Sequence, residues 1–152
     1  MLVKDIMIRD LIAAEADTLV FDVLETMVRH YFSGIGVVDE ENKLIGFISE
    51  KDIMNSIMPA GINTALAMSL PDFDILYEKL QKISKNPVKD FMNPNPVYVM
   101  ESDTLMYLGN LMIKRNIKLF PVVDNEKRLV GYVGRVGLLD AMLKQIEDKT
   151  DK

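Results

Sequence analysis

The sequence has no cysteine, no tryptophan and a single histidine, His30. Without cysteine the chain can form no disulfide, no thiolate zinc site and no iron–sulfur cluster, and it has no cysteine nucleophile. One histidine also argues against the zinc sites that are built from two or three histidines. No other nucleophile lies beside a candidate base. We therefore predict a protein that has no metal centre and is not an enzyme.

Basic residues and long apolar runs are also scarce. The 152 residues include 18 Lys or Arg and 23 Asp or Glu, for a formal net charge of −5. Nucleic-acid binding needs a basic surface, so we expect no nucleic-acid partner. No apolar run approaches the ~20 residues of a membrane span, and the charged N-terminus lacks the apolar segment of a signal peptide. We therefore expect a cytoplasmic location and no membrane partner.

The chain contains two copies of one unit. Residues 37–48 (VVDEENKLIGFI) reappear 85 positions later as residues 122–133 (VVDNEKRLVGYV), and residues 3–7 (VKDIM) reappear at the same offset as residues 88–92 (VKDFM). Two separated segments with one offset indicate a tandem repeat. One copy alone would bury too little surface for a stable core, so we expect the copies to pack on each other.

Each copy has the same predicted order of elements: strand, helix, strand, strand, helix. Apolar runs at residues 11–13 and 97–99 predict the first strands. Asp–Thr pairs at residues 17–18 and 103–104 predict the N-caps of the first helices. An apolar strand, a polar turn and a second strand then form a hairpin, and the last helix begins near Glu50 or its equivalent.

The copies are joined by a segment with helical character. Pro59 and Gly61 break the preceding helix, and Pro71 and Asp72 predict a new helix that ends near Ser84. This helix either covers the edge of the module or contributes to a dimer contact. We therefore divide the chain into repeat 1 (1–58), a helical connector (59–87), repeat 2 (88–147) and a polar C-terminal tail (148–152).

These repeats resemble a tandem pair of cystathionine-β-synthase (CBS) domains, known as a Bateman module. The resemblance rests on the VKD-hydrophobic-Met openings, on PVVD at residues 121–124 and on LIGFISEKD at residues 44–52. It implies an α+β fold in which two strand–helix–strand–strand–helix repeats, related by a pseudo-twofold axis, pack through their sheets. Such modules usually bind an adenosine-containing effector (AMP, ADP, ATP, NAD or S-adenosylmethionine), dimerise, and act as sensors.

The spacing Gly46-x-x-Ser49-x-x-Asp52 carries the sharpest chemical prediction. Ser49 follows a strand at the N-cap of a helix, and Asp52 lies in the first turn. A carboxylate there can accept two hydrogen bonds from a ribose diol, and the Ser49 hydroxyl with the free N–H groups of the helix suits a phosphate. Ser-x-x-Asp is also close to a capping box, which needs no ligand. The CBS resemblance favours the ribose-binding interpretation.

The second copy loses this motif. Gly134 and Gly137 occupy the positions equivalent to Ser49 and Asp52. A glycine offers no side-chain acceptor to a ribose, so we predict one nucleotide per chain, bound on the Asp52 side. A phosphate contact of Arg135 stays open in the second cleft, the equivalent site on the side of Gly134 and Gly137.

The resemblance also implies that the motif of one copy faces two strands of the other. Pro96, Val97 and Phe120 would then form apolar walls for a purine, and Lys118 would lie near the phosphates. A solvated lysine at the end of a strand is the alternative for Lys118. Ser33 would take its place in the second cleft. The predicted ligand-binding residues are Ser49, Lys51, Asp52, Asn95, Pro96, Val97, Lys118, Leu119, Phe120 and Pro121.

We therefore expect a regulatory module that binds an adenine nucleotide between its repeats and signals through dimer geometry or a partner protein. The alternative is a ligand-free structural or dimerisation module, in which Ser49 and Asp52 only cap a helix. Apolar residues on the last helix of each copy predict a homodimer. These residues are Ile53, Ile57, Met58, Leu138, Leu139, Met142 and Leu143.

Overall fold

A computed structural model describes residues 1–10, 12–69 and 73–150. The strands are β1 (Ala13–Glu15), β2 (Gly34–Val38), β3 (Leu44–Ser49), β4 (Val99–Met100), β5 (Leu119–Val123) and β6 (Leu129–Gly134). The helices are α1 (Val20–His30), α2 (Glu50–Ile57), α3 (Thr64–Ser69), α4 (Phe73–Ile83), α5 (Leu105–Arg115) and α6 (Arg135–Thr150). Short 3₁₀ helices span Val3–Asp5 and Val88–Asp90.

The strands form two three-stranded sheets with the same topology, in the orders β1-β2-β3 and β4-β5-β6. In each sheet the first strand is parallel to the second, and the second and third form an antiparallel hairpin. A parallel pair needs a crossover connection, and α1 and α5 supply it. The structure confirms the predicted α+β fold built from two equivalent repeats.

The hairpins turn at equivalent residues. Asn42 and Lys127 have left-handed backbones, with φ of 63° and 64°. In the first hairpin, Asp39 Oδ1 accepts the N–H groups of Glu41 and Lys43, both at 2.9 Å. An Asp side chain that bonds to the backbone two residues ahead favours a turn. The short polar segments therefore fix where each hairpin reverses.

The two sheets pack on each other through a shared apolar cluster. Its buried residues are Val38 and Leu44 from repeat 1 and Val123, Leu129 and Tyr132 from repeat 2. The hairpins also exchange backbone hydrogen bonds at 3.0 Å, from Leu44 N–H to the Lys127 carbonyl and from Leu129 N–H to the Asn42 carbonyl. Each sheet thereby buries one face that would be exposed in an isolated repeat.

The opening segment of each copy packs on the opposite half of the molecule. Val3 is fully buried in the cluster that contains Leu108 of α5, and its N–H donates to the Asp103 carbonyl at 2.9 Å. Val88 is fully buried in the cluster that contains Val23 of α1, and its N–H donates to the Thr18 carbonyl at 2.7 Å. The repeats are therefore interlocked.

One predicted helix cap is wrong and its equivalent is confirmed. Thr104 Oγ1 accepts the N–H of Tyr107 at 3.2 Å at the start of α5. The N-cap of α1 is Leu19, which offers no side-chain acceptor. Two carbonyl groups of the connector accept the first N–H groups of α1 instead. The Asn86 carbonyl accepts the N–H of Val20 at 2.9 Å, and the Ser84 carbonyl accepts the N–H of Phe21 at 3.0 Å. The cap predicted at residues 17–18 is therefore not needed.

The first strands begin later than predicted. The strands predicted at residues 11–13 and 97–99 are observed as Ala13–Glu15 and Val99–Met100. Leu11 of the first prediction lies outside the described residues. Each strand forms where its residues meet the following parallel strand, a long-range pairing that a short apolar run does not specify.

In the connector, α3 and α4 follow one another. Leu80 and Ile83 of α4 pack against the core of repeat 1, so this face covers the edge of the module. The predicted helix start at Pro71 and Asp72 lies outside the described residues. Residues 148–150 of the predicted tail continue α6, and residues 151–152 lie outside the described part.

Part of the predicted dimer face belongs to the core of the chain itself. Ile53, Ile57 and Leu138 are 4%, 6% and 8% exposed, so they cannot form an interface. Each points inward because an amphipathic helix turns one apolar stripe toward its own sheet. Met58, Leu139, Met142 and Leu143 are exposed. None of the described helices is both long and apolar enough to cross a membrane.

Candidate functional site

A cavity of about 370 Å³ opens between the two repeats. Its volume lies in the range of about 300–1,000 Å³ that is usual for small-molecule sites. The end of β3 and the start of α2 form one wall, and the segments before β4 and β5 form the other. Seven of the ten predicted ligand-binding residues line it: Ser49, Lys51, Asp52, Pro96, Val97, Lys118 and Leu119.

The other three predicted residues lie beside the cavity without lining it. Successive residues of a strand point to opposite faces, so Leu119 faces the cleft and Phe120 is fully buried in the core of repeat 2. Pro121 is also buried and pairs with Tyr132 in the sheet. Asn95 is exposed in a turn, where its N–H donates to Asn93 Oδ1 at 3.0 Å.

Several lining residues were not predicted. The end of α5 and the residues after it form part of the cavity wall. Asn116 adopts a left-handed backbone there, with φ of 51°, and turns the chain toward the cavity. The sequence predicts that a helix ends at Asn116, since asparagine tolerates this conformation. It does not predict that Asn116 lies in the same cavity as Ser49. The unpredicted lining residues are Ser33, Phe47, Glu50, Asn93, Arg115, Asn116 and Ile117.

Ser33 also lines this cavity. We expected it at the position equivalent to Lys118 in the second cleft, and its place beside Ser49 was not predicted. The Ser33 carbonyl accepts the N–H of Glu50 at 2.9 Å, and the next residue, Gly34, pairs with Ser49 across the hairpin. The start of β2 therefore lies beside the end of β3 within one repeat.

The Ser49–Asp52 motif forms a complete capping box. Asp52 N–H donates to Ser49 Oγ at 3.2 Å, and Asp52 Oδ2 accepts the Ser49 N–H at 2.8 Å and its hydroxyl at 2.9 Å. These three bonds leave Asp52 Oδ1 unused. Both side chains are half-buried at the cavity wall. The motif can therefore start α2 and still offer a carboxylate oxygen to a ligand.

Charged groups of both signs surround the cavity. Lys118 Nζ of repeat 2 lies 3.8 Å from Glu50 Oε1 of repeat 1, and both side chains are largely exposed. Lys51 and Arg115 also line the cavity. Three cations that line one cavity with the half-buried carboxylate of Asp52 can bind a ligand that has an anionic end and a hydroxyl-bearing end.

Arg135, which we left open as a phosphate contact, forms two hydrogen bonds within repeat 2. Its Nε donates to the Ile117 carbonyl at 3.2 Å, and its Nη2 donates to Asn116 Oδ1 at 2.9 Å. These bonds tie the start of α6 to the segment that follows α5. In the described part of the chain, no group of three or more His, Asp or Glu side chains is placed to hold a metal ion.

Comparisons with known proteins agree with this architecture. The family model for the CBS domain matches residues 3–59 and again residues 88–144. An uncharacterized protein of Methanocaldococcus jannaschii is 31% identical over 155 residues, which span 94% of this chain and 92% of that protein. The chloroplastic CBS domain-containing protein CBSX1 of Arabidopsis thaliana is 28% identical over 94% of this chain, which spans 63% of its length.

Two solved structures are similar over nearly the whole chain. CBSX2 in complex with AMP has a TM-score of 0.73 and 28% identity, with 94% of this chain and 97% of that chain covered. The CBS domain pair of protein MJ0100 in complex with 5′-methylthioadenosine and S-adenosyl-L-methionine has a TM-score of 0.69 and 25% identity, with 93% and 99% covered.

Proposed function

The chain belongs to the CBS domain family and carries two of its domains in tandem, and on that basis we propose that it is a regulatory module that binds an adenine nucleotide. The ligand lies in the cleft between the repeats. The observation that carries this proposal is the cavity itself, which combines a partly unused carboxylate, apolar walls and three cations. The similarity to CBSX2, which was solved with AMP, supports an adenosine-containing ligand.

Each part of such a ligand has a matching surface. Pro96, Val97 and Ile117 offer apolar contacts to a purine. Asp52 Oδ1 can accept hydrogen bonds from the hydroxyl groups of a ribose, since the other carboxylate oxygen, Oδ2, is the one bonded to Ser49. Lys118 lies at the cavity wall, where its ammonium group can form charge-assisted hydrogen bonds with a phosphate.

The bound ligand would act as a bridge between the repeats. Asp52 and Lys118 belong to opposite repeats, so a nucleotide that contacts both changes the free energy of their relative placement. A ligand shifts a conformational equilibrium only by its differential affinity for the two states. The conformational change would be transmitted to a second copy through the geometry of the dimer, or to a partner protein. The exposed apolar residues of α6, such as Leu139, Met142 and Leu143, support a homodimer.

The alternative is a ligand-free structural or dimerisation module. The complete Ser49–Asp52 capping box supports it, because the motif is satisfied without a ligand. The two functions differ in what Asp52 contributes, which is ligand affinity in one case and helix stability alone in the other.

Substitution of Asp52 separates these functions. A thermal-shift screen with AMP, ADP, ATP, NAD and S-adenosylmethionine identifies the ligand, and a ligand at 100 times its Kd stabilises the fold by about 2.7 kcal/mol. Asp52→Ala should then weaken binding by about 1.5–3 kcal/mol, the range for a hydrogen bond to a charged group. Isothermal titration calorimetry gives both affinities.

The matched control is Thr104→Ala, which removes the cap of α5 without touching the cavity. It should lower stability by about 0.5–2 kcal/mol and leave ligand affinity unchanged. Equal affinity of Asp52→Ala and the unmodified chain would leave Asp52 as a cap, and no response to any ligand would support the structural module.

A further inference from the structure

The repeat symmetry relates the cavity described above, the first cleft, to a second cleft that the counterparts of its lining residues would form. The lining residues Phe47, Val97 and Ile117 correspond to Tyr132, Ile12 and Phe32 at the offset of 85 positions. The backbone pairing follows the same equivalence. Phe47 forms a β-bridge with Asn93, and Tyr132 forms one with Ile8, which is the counterpart of Asn93. The surroundings of Tyr132 therefore show what became of the second cleft.

Tyr132 fills the apolar part of that cleft. Its side chain is fully buried, and its ring packs edge-on against Phe32, with centroids 5.3 Å apart and an interplanar angle of 73°. The hydroxyl donates to the Ile12 carbonyl and accepts the N–H of Gly36 at 3.0 Å. Counterparts of three residues that line an open cavity in one half are thus in contact in the other half.

The two backbone groups that Tyr132 satisfies, the Ile12 carbonyl and the Gly36 N–H, lie beside the pair that Ala13 and Gly36 form between β1 and β2. Burial raises the pKa of Tyr132 to about 12, so the hydroxyl is protonated at neutral pH and able to donate. No such closure exists in the first cleft, where Phe47 has no hydroxyl and Pro121, the counterpart of Gly36, has no N–H.

We propose that Tyr132 is a built-in occupant of the second cleft, which closes it to an adenine base and limits the chain to one nucleotide. This inference rests on the proposed function for the first cleft. The groups for the rest of a nucleotide are missing as well, since Gly137 stands at the position of Asp52 and Ser33 at that of Lys118. Removing the tyrosine ring would therefore open a site for the free base and not for a nucleotide.

The test is adenine binding to Tyr132→Ala at saturating AMP, which occupies the first cleft. Saturation-transfer NMR should detect adenine on this variant and not on the unmodified chain, and titration should give about one adenine per chain. Leu108→Ala is the control, because Leu108 is equally buried in a different cluster and its removal leaves the second cleft closed. Adenine should not bind to the control.

A folded Tyr132→Ala variant that binds no adenine would overturn the inference, as would equal adenine binding to Leu108→Ala. Tyr132→Leu keeps more of the apolar packing and replaces the alanine variant if the latter shows no cooperative melting. Titration of the unmodified chain with AMP is an independent measurement, in which two AMP per chain contradicts closure and one supports it. If AMP does not bind at all, the proposed function fails, while adenine binding to Tyr132→Ala alone still tests the closure.

Discussion

Glu50 and Lys118 approach each other at the wall of the first cleft from opposite repeats, with 3.8 Å between Oε1 and Nζ. Because both side chains are largely exposed, their ion pair adds little to stability. Under the proposed function the pair would matter for binding, since a phosphate at Lys118 would meet a carboxylate that already shares the ammonium group. Glu50 would then oppose an anionic ligand, and Lys118 would favour it.

Two substitutions at this pair should change AMP affinity in opposite directions. Lys118→Ala should weaken AMP binding and Glu50→Gln should strengthen it, each by about 1 kcal/mol, because one exposed charge interaction is lost or relieved. Adenosine, which has no phosphate, should bind all variants nearly equally. Calorimetry with both ligands makes the comparison.

Lys144→Ala serves as the control, because Lys144 pairs with Asp140 on α6 and does not line the cavity. It should leave both affinities unchanged. If Lys118→Ala weakens adenosine and AMP equally, the side chain acts through the purine wall or the fold. If it changes neither, Lys118 is a solvated lysine at the end of a strand.

At the scale of the element, α6 shows how packing sustains a helix start that the local sequence disfavours. It begins at Arg135, directly after Gly134, and Gly137 lies in its first turn. Glycine in a helix costs about 0.5–1 kcal/mol relative to alanine. Arg135 and the buried Leu138 hold this turn, through the bonds to Asn116 and Ile117 and through the core of repeat 2.

Gly137→Ala should therefore stabilise the chain by about 0.5–1 kcal/mol. A Cβ at this position would have Ile6 O as its nearest neighbour at 3.9 Å, an ordinary contact. Gly131→Ala should have the opposite effect, because its Cβ would lie 2.3 Å from the Ile8 carbonyl oxygen. Urea denaturation measures both changes, and a destabilised Gly137→Ala would show that this position needs glycine for another reason.

How far the sequence predicts these elements depends on whether their determinants are local. Thr104 and its helix were predicted because a capping side chain and its N–H partner are three residues apart. The start of α1 was missed because its acceptors are carbonyl groups of Asn86 and Ser84, which the chain brings back only after it has folded. Tertiary contacts replaced the local cap there.

The same distinction applies to the candidate site. Ser49 and Asp52 follow from a short spacing, and the resemblance to CBS domains extends the site to the other repeat. Glu50 lies between the predicted Ser49 and Lys51 and was within reach of the sequence, whereas Arg115 was missed because only the packing of the two repeats brings it to this cavity. The burial of Phe120 was within reach of the sequence, since strand alternation places it opposite Leu119.

At the scale of the whole molecule, exposed apolar side chains on α6 suggest contact with a second copy. Leu139, Met142, Leu143 and Ile146 are at least half exposed, and exposed apolar patches commonly mark interfaces. Light scattering at micromolar concentration should therefore give a mass near twice the 17.3 kDa of one chain. Leu139→Lys should lower this mass toward one chain, and a monomeric mass for the unmodified protein would contradict the homodimer.

The exchange of opening segments predicts that the two repeats unfold together. Val3 belongs by sequence to the first copy and packs in the core of the second, and Val88 does the reverse. Neither core is complete without a segment from the other half, so loss of one removes buried apolar surface from both. Val3→Ala should consequently destabilise the entire chain, by about 1–3 kcal/mol for the deleted methyl groups.

The measurement is urea unfolding of Val3→Ala and Val88→Ala, followed by two signals. Far-UV circular dichroism reports helices of both repeats, and near-UV circular dichroism includes the buried Tyr132 at the junction of the sheets. Coincident transitions indicate a single cooperative unit, and we expect them in both variants and in the unmodified chain. Separate transitions in Val3→Ala would show that the chain does not unfold as one unit, and the interlocking of the repeats would then not couple their stability.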